Sequence, residues 1–136
     1  MNICRIIVTT TYAGLAALLA ACAATTQTAP QPVSRTDLQR HDLSIPGREV
    51  IQTRVDFQPD ATAPRHKHPG EEIIYVLHGT LVYDIDGQGS KTVKAGDVLF
   101  VPAETFHSVH NIGKDEGSEL ATYVVEKNKP LLVLAK

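Results

Sequence analysis

Apolar and polar side chains alternate in short runs from about residue 48 onward, which is the pattern of strands with one buried face. Glycine, proline, aspartate and asparagine separate these runs at close spacing. None of them has the sustained 3.6-residue period of an amphipathic helix. The pattern predicts strands at residues 49–58, 63–68, 72–78, 80–86, 90–94, 97–101, 106–112, 119–126 and 130–134. Many short strands at regular spacing predict an all-β sandwich or barrel.

The start of the folded domain is less regular than its body. Residues 37–43 are compatible with either a small helix or an edge strand. Residues 22–36 are rich in alanine, threonine, glutamine and proline and have no apolar period, so we predict a flexible tether there. The predicted domain therefore covers residues 37–136.

The first 21 residues have the pattern of a secretory signal peptide. One arginine precedes residues 6–21, which contain no charged side chain. This apolar stretch is interrupted by threonines and is shorter than the roughly 20 residues that a membrane-spanning helix needs. We predict that residues 1–21 are cleaved after export.

The apolar stretch ends in Leu19-Ala20-Ala21-Cys22, which resembles the lipobox of bacterial lipoproteins. In that family the cysteine is acylated and becomes the first mature residue. The resemblance predicts lipidation of Cys22 and a place on the periplasmic face of a bacterial membrane, held only by the lipid anchor. The alternative is ordinary cleavage at the small residues 21–23, which would release a soluble periplasmic protein.

Composition and charge narrow the classes of function. The chain has 136 residues, 43% of them hydrophobic, which fits one compact domain. Its 13 basic and 15 acidic side chains give a net charge of −2, without the basic excess that nucleic-acid binding needs. Both cysteines, Cys4 and Cys22, precede the predicted domain. Disulfides, cysteine catalysis and cysteine-rich zinc sites are therefore excluded from the domain.

Residues that can bind a metal are concentrated in two segments. Side chains at i and i+2 of an extended chain share a face, so His66 and His68 can present two imidazoles to one point. A Pro-Gly turn follows, and Glu72 near the start of the next strand can bring a carboxylate back toward them. His107 lies at the start of another strand. Imidazoles with one carboxylate suit a divalent transition metal such as Fe, Mn, Zn, Ni or Cu.

The first of these segments resembles the first motif of the cupin superfamily. His66, His68, Glu72 and Gly79 match that motif at the family's separations. Asp60 replaces its leading glycine. Aspartate tolerates the left-handed backbone that a turn glycine provides, so the departure affects the shape of a loop and leaves the ligands in place.

The second segment resembles the second cupin motif. Gly96, Pro102, His107 and Asn111 match it, and Glu104 replaces its inner glycine. Glutamate tolerates left-handed backbone less well than aspartate does. The resemblance to small single-domain cupins extends over about residues 48–134, almost the whole predicted domain.

The resemblance implies a fold and a metal site. The fold is a single double-stranded β-barrel of the jelly-roll type, with one divalent transition metal in its mouth. Asn111 would have a structural role. By position, the metal ligands would be His66, His68, Glu72 and His107.

Alternation along the strands agrees with this site. Ile74 has the same parity as Glu72, and Val109 the same parity as His107, so the ligands would head apolar inward faces. His78 and His110 are not in ligand positions, because His78 ends a strand at a hairpin and His110 has the opposite parity from His107.

The resemblance also predicts classes of function. The first is an exported metal-dependent enzyme, most simply dioxygenase-like and otherwise an isomerase or lyase, acting on a small oxygen-bearing molecule such as an enol, diol, carboxylate or phenol. Glu72 would then be both ligand and catalytic proton acceptor. No other general base is identifiable in the sequence. The aromatic residues Tyr75, Tyr83, Phe106 and Tyr123 could line a pocket, but aromatic residues on strands are more often part of the core.

Two alternatives remain beside the enzyme. One is a non-enzymatic module of the cell envelope that binds a small molecule or a metal. The other is a structural envelope lipoprotein that uses the barrel as an interaction surface. Small cupins often pair edge strands, so the resemblance also predicts a homodimer.

Overall fold

The computed structural model describes residues 31–136, and every regular element in that range is a strand. The all-β prediction is confirmed. Residues 1–21, Cys22 and most of the predicted tether lie outside the described range. No helix within it is long and apolar enough to span a membrane. The strands are β1 (Val33–Asp42), β2 (Arg48–Phe57), β3 (Thr62–Lys67), β4 (Gly70–His78), β5 (Thr80–Ile85), β6 (Gly89–Lys94), β7 (Val98–Val101), β8 (His107–Asn111), β9 (Gly117–Glu126) and β10 (Val133–Leu134).

The strands form two five-stranded antiparallel sheets in the order β1-β2-β9-β4-β7 and β10-β3-β8-β5-β6. Two packed sheets of this kind form the predicted jelly roll. Every second side chain of the central strands points into the space between the sheets and builds one apolar core. Its largest fully buried apolar members are Phe57, Ile74, Val76, Leu81, Tyr83, Val101, Tyr123 and Val125.

Residues 37–43, for which helix and edge strand were both open, belong almost entirely to the edge strand β1. This strand begins at Val33, so the last residues of the segment assigned to a tether pair with β2. The pairing skips Leu38, between Asp37 and Gln39, which marks a β-bulge. Most side chains of β1 are exposed, so its apolar pattern is weak. The strand is stabilised instead by its pairing with β2.

The two positions at which the chain departs from the cupin motifs keep the backbone of the glycines they replace. Asp60 has a φ of 61° and Glu104 a φ of 59°. The Asp60 carboxylate lies 2.9 Å from Nε2 of His110, and Glu104 pairs with Lys67. Both side chains thus make a polar contact from the left-handed conformation that L residues otherwise disfavour.

Asn111 has the structural role that the resemblance implies. Its buried amide nitrogen donates to the carbonyl oxygens of Phe57 and Gln58, at 3.1 Å each, and to that of Asp115 at 2.9 Å. Its amide oxygen accepts from the backbone N–H of Gly113 at 2.9 Å. One side chain thus joins the end of β8 to the β2–β3 turn and to the loop before β9.

The outer face of the first sheet carries an exposed apolar patch. Ile73, Tyr75 and Leu77 of β4 lie on it beside Val98 and Phe100 of β7, and Ile73 is paired with Phe100. A second copy of the chain could bury this patch. The homodimer stays a prediction.

Gly70 permits the close approach of β4 to β9. A Cβ atom at this position would lie 2.1 Å from the carbonyl oxygen of Val124 and 2.6 Å from Cα of Val125. Because both atoms belong to backbone, Gly70→Ala must shift a strand. We expect the free energy of unfolding to fall by about 3 kcal/mol, measured by urea denaturation.

The matched control is Gly87→Asn. Gly87 has a φ of 74° in open space, and asparagine tolerates that conformation, so its stability should stay close to wild type. Equal losses in the two variants would contradict the steric explanation.

Candidate metal centre

The four residues assigned as ligands meet inside the barrel. His66 is on β3 and is the direct cross-strand partner of His107 on β8. His68 follows β3, and Glu72 is on β4 of the opposite sheet. All four are between 1% and 4% exposed. The jelly roll therefore places residues from three strands and one turn at a single buried point.

The distances between the ligand atoms are short. One ring nitrogen from each of the three histidines lies within 4.8 Å of the other two. Oε2 of Glu72 lies 3.1 Å from Nε2 of His107 and 3.4 Å from Nε2 of His68.

Backbone carbonyls fix which nitrogen of each ring carries the proton. Nδ1 of His66 lies 2.7 Å from the carbonyl oxygen of Pro64, and Nδ1 of His107 lies 3.1 Å from that of Thr105. Nδ1 of His68 lies 2.6 Å from the carbonyl oxygen of Leu131. A carbonyl oxygen only accepts, so each Nδ1 must donate, and in a neutral ring Nε2 is left with a lone pair. Metal-binding histidines are held in the same way.

Three buried atoms at the centre have no hydrogen-bond partner. They are Nε2 of His68, Nε2 of His107 and Oε2 of Glu72. Lone pairs that converge away from water are unfavourable unless a cation lies between them. Neutral imidazoles with a carboxylate are also the donor set that divalent transition metals prefer. The chemistry of these residues therefore fits a divalent transition metal.

The protonation states also suit a metal. Burial alone would raise the pKa of Glu72, but the side chains of His107 and His68 outweigh it and lower that pKa below its usual range. Burial, and then the neighbouring His107, lowers the pKa of His66 to about 4. At neutral pH a metal would find Glu72 ionised and His66 neutral, so neither has a proton to lose.

Tyrosines and a second buried acid surround the centre. The ring of Tyr123 lies 4.7 Å from that of His68, centroid to centroid. The ring of Tyr83 stacks 6.3 Å from that of His107, and its hydroxyl donates to Glu119. The core prediction is confirmed for these two tyrosines, which also form the walls of the centre, and it is wrong for Tyr75, which is 45% exposed.

Glu119 was missed at the level of sequence, where no second acid or base was identified. It lies on β9 with the inward parity of Ala121 and Tyr123 and is buried. That parity was the available signal. Burial, and then the charge of Glu72, raises the pKa of Glu119 to about 8, although Tyr83 lowers it in part. Glu119 is therefore mainly protonated at neutral pH.

The remaining histidines lie away from the centre, as expected for His78 and His110. His78 is exposed at the end of β4. His110 is half-buried, and its Nε2 faces Asp60. His41 is exposed on β1.

Removing one imidazole should empty the centre without unfolding the barrel. We expect His66→Ala and His107→Ala to weaken binding of Mn²⁺ by at least about a hundredfold, because each change removes a ligand. Elemental analysis after chelation and reloading measures the loss, and circular dichroism checks the fold. His110→Ala is the control and should keep its metal. Metal retained in both ligand variants would contradict the assignment.

The buried acid gives the apo protein a distinctive dependence on pH. From about pH 4.5, where the carboxyl group of the unfolded chain titrates, to about pH 8, folded Glu119 keeps a proton that the unfolded chain has released. Raising the pH through this range therefore favours unfolding. Glu119→Gln does not titrate. The free energy of unfolding of Glu119→Gln, minus that of wild type, should therefore increase by about 3 kcal/mol between about pH 5 and 8. Urea denaturation after chelation measures this difference.

Glu126→Gln is the control for this measurement. Lys129 lowers the pKa of Glu126, so its stabilising effect is complete above the unfolded pKa and is lost only as the pH falls below it. Its stability relative to wild type should stay level over the same range. Parallel pH curves for wild type and Glu119→Gln would refute the protonated state.

Known proteins resemble the chain in sequence and in structure. Germin-like protein 3-5 of Oryza sativa subsp. japonica is 35% identical over 82 residues, which cover 54% of this chain and 36% of the relative. Oxalate oxidase 2 of Hordeum vulgare is 35% identical over 82 residues, with 54% and 37% covered. The chain thus spans a little over a third of these relatives.

A solved oxalate oxidase in complex with the substrate analogue glycolate superimposes with a TM-score of 0.64 at 30% identity. The match covers 79% of this chain and 57% of that chain. KdgF from Halomonas sp. superimposes with a TM-score of 0.59 at 19% identity, which shows a shared fold alone.

The family model for the cupin domain matches residues 53–123, more than half of the chain. That range includes both motifs and all four residues that converge in the barrel. The chain belongs to the cupin superfamily.

Proposed function

We propose that the protein is a metal-dependent enzyme that oxidises a small organic acid with dioxygen. The observation that carries this proposal is the buried set of three histidines and Glu72, with three ligand atoms left unpartnered. The similarity to oxalate oxidases, one of them solved with glycolate, supports an acid as the substrate class.

Some residues of the chain would bind the metal, and others would transfer protons. His66, His68, His107 and Glu72 would hold the metal, which when bound supplies Lewis acidity and, as Fe or Mn, redox capacity. The backbone carbonyls behind the rings keep the imidazoles oriented. The buried Tyr83 and Tyr123 limit the access of water.

Glu119 is a buried acid that can hold a proton and is not one of the four ligands. As a buried acid at neutral pH, it can give a proton to a nearby oxygen and take one back. The hydroxyl of Tyr83 donates to it and holds its carboxyl group in place. Glu72 can accept a proton when it is not bound to the metal, as the resemblance suggested.

Export and anchoring also belong to the proposal. The apolar stretch at residues 6–21 and the lipobox-like Leu19-Ala20-Ala21-Cys22 support a lipoprotein on the periplasmic face of a membrane.

The second candidate function is a non-enzymatic module that binds a metal or a small molecule. It is favoured by one observation, the burial of all four ligands, which limits access to the centre.

Oxygen consumption tests the enzyme against the binding module. Apo protein is loaded with Mn²⁺, Fe²⁺, Zn²⁺, Ni²⁺ or Cu²⁺ and assayed with oxalate, glycolate, longer monocarboxylic acids and simple phenols. We expect turnover with a redox-active metal and its loss in His107→Ala. Glu119→Gln should keep the metal and lose about a hundredfold or more in kcat. Stoichiometric metal without turnover of any compound would favour the binding module.

A further inference from the structure

A cavity of about 310 Å³ lies against the edge strand β1. Its walls come from β1, β2 and β9, and from the segment that follows β9. The lining is apolar at Leu38, Ile51, Val125 and Leu131 and polar at Asp37, Gln39, Arg40 and Lys129. This volume is at the lower end of the range for small-molecule sites.

The β-bulge in β1 shapes this cavity. In a regular strand neighbouring side chains point to opposite faces. Here the pairing of β1 with β2 skips Leu38, and four consecutive residues, 37–40, all border the cavity. Bulges re-aim side chains in this way and are common next to active sites.

The wall between the cavity and the metal centre is thin. Leu131 lines the cavity, and its carbonyl oxygen holds Nδ1 of His68 at 2.6 Å. Ile51 lines it as well and is the cross-strand partner of Tyr123, whose ring lies 4.7 Å from that of His68. One layer of side chains thus separates a molecule in the cavity from a ligand of the metal.

A cation lies close to this wall with only a neutral partner. The guanidinium of Arg35 donates to the hydroxyl of Tyr123 and lies 5.6 Å from its ring centroid. Within residues 31–136 Arg35 forms no salt bridge, whereas Arg40 pairs with Glu49 and Lys129 with Glu126. A phenol leaves the charge of Arg35 available to a carboxylate.

We propose that the cavity binds the apolar chain of the substrate, and that Arg35 binds its carboxylate. The substrate class is then a monocarboxylic acid with an apolar chain, not a two-carbon acid. A volume of 310 Å³ equals that of about ten water molecules, so the chain has at most about ten non-hydrogen atoms. This inference rests on the proposed function for its acid head group.

Binding of a series of carboxylates tests the cavity directly. Acetate, butanoate, hexanoate and octanoate are titrated into the Mn²⁺-loaded protein by calorimetry. We expect the affinity to rise about threefold to fourfold per methylene group until the cavity is full. An affinity that does not depend on chain length would overturn the proposal.

Filling the cavity should remove this dependence. Leu38→Trp places a large side chain at the bulge. The affinity should then no longer rise with the chain length of the acid, while acetate still binds. Leu77→Trp is the control, because Leu77 is 43% exposed on the outer apolar patch and Leu38 is 51% exposed. Lys129→Trp fills the cavity from the opposite wall and decides the matter if Leu38→Trp does not fold. An undiminished dependence in the folded variants would refute the cavity.

A change at Arg35 should affect the affinity of the acids differently from a change in the cavity. Arg35→Gln should weaken every acid by a similar factor, about tenfold or more, and leave the dependence on chain length unchanged. Unchanged affinities would overturn its role.

The outcomes separate this inference from the proposed function. Turnover of oxalate or glycolate without chain-length dependence refutes the cavity alone. Dependence on chain length without turnover of any acid supports the cavity and refutes the enzyme.

Discussion

Two imidazole nitrogens and one carboxylate oxygen face one another inside the barrel without a hydrogen-bond partner, and the rest of the site is arranged around that constraint. Three backbone carbonyls bind the far side of the three rings and hold them in this orientation. The neighbouring imidazoles of His107 and His68 keep Glu72 ionised despite its burial. The centre is therefore unfavourable to the fold when empty and favourable when it holds a cation.

The sheets create this constraint through register and close approach. The pairing of His66 with His107 joins two ligands within one sheet, and Glu72 comes from the opposite sheet. The side chain of Asn111 holds the end of β8 by four hydrogen bonds. Gly70 lets β4 lie against β9 with no room for a side chain. Residues that touch no metal thus determine where the ligands meet.

Much of this was readable in the sequence, because strands and ligand motifs are local patterns. Alternation located nine strands within a few residues, and motif spacing picked out the four residues that converge. The start of β1 and its bulge at Leu38 could not be predicted from the sequence, because pairing with β2 determines where this strand begins and bulges. Glu119 had the right parity, but its raised pKa comes from burial and from Glu72, which only the tertiary structure brings near. The cavity likewise depends on segments far apart in the chain.

The hydrogen bond between His68 and Leu131 joins residues 63 positions apart. During synthesis the first three ligands in the chain emerge from the ribosome well before Leu131 does. Until that carbonyl is in place, His68 is free to rotate and to expose either nitrogen. The order of emergence therefore delays assembly of the complete centre until the segment after β9 has folded. Any metal bound at the complete centre would then come from those present where folding ends, not from those present where translation begins.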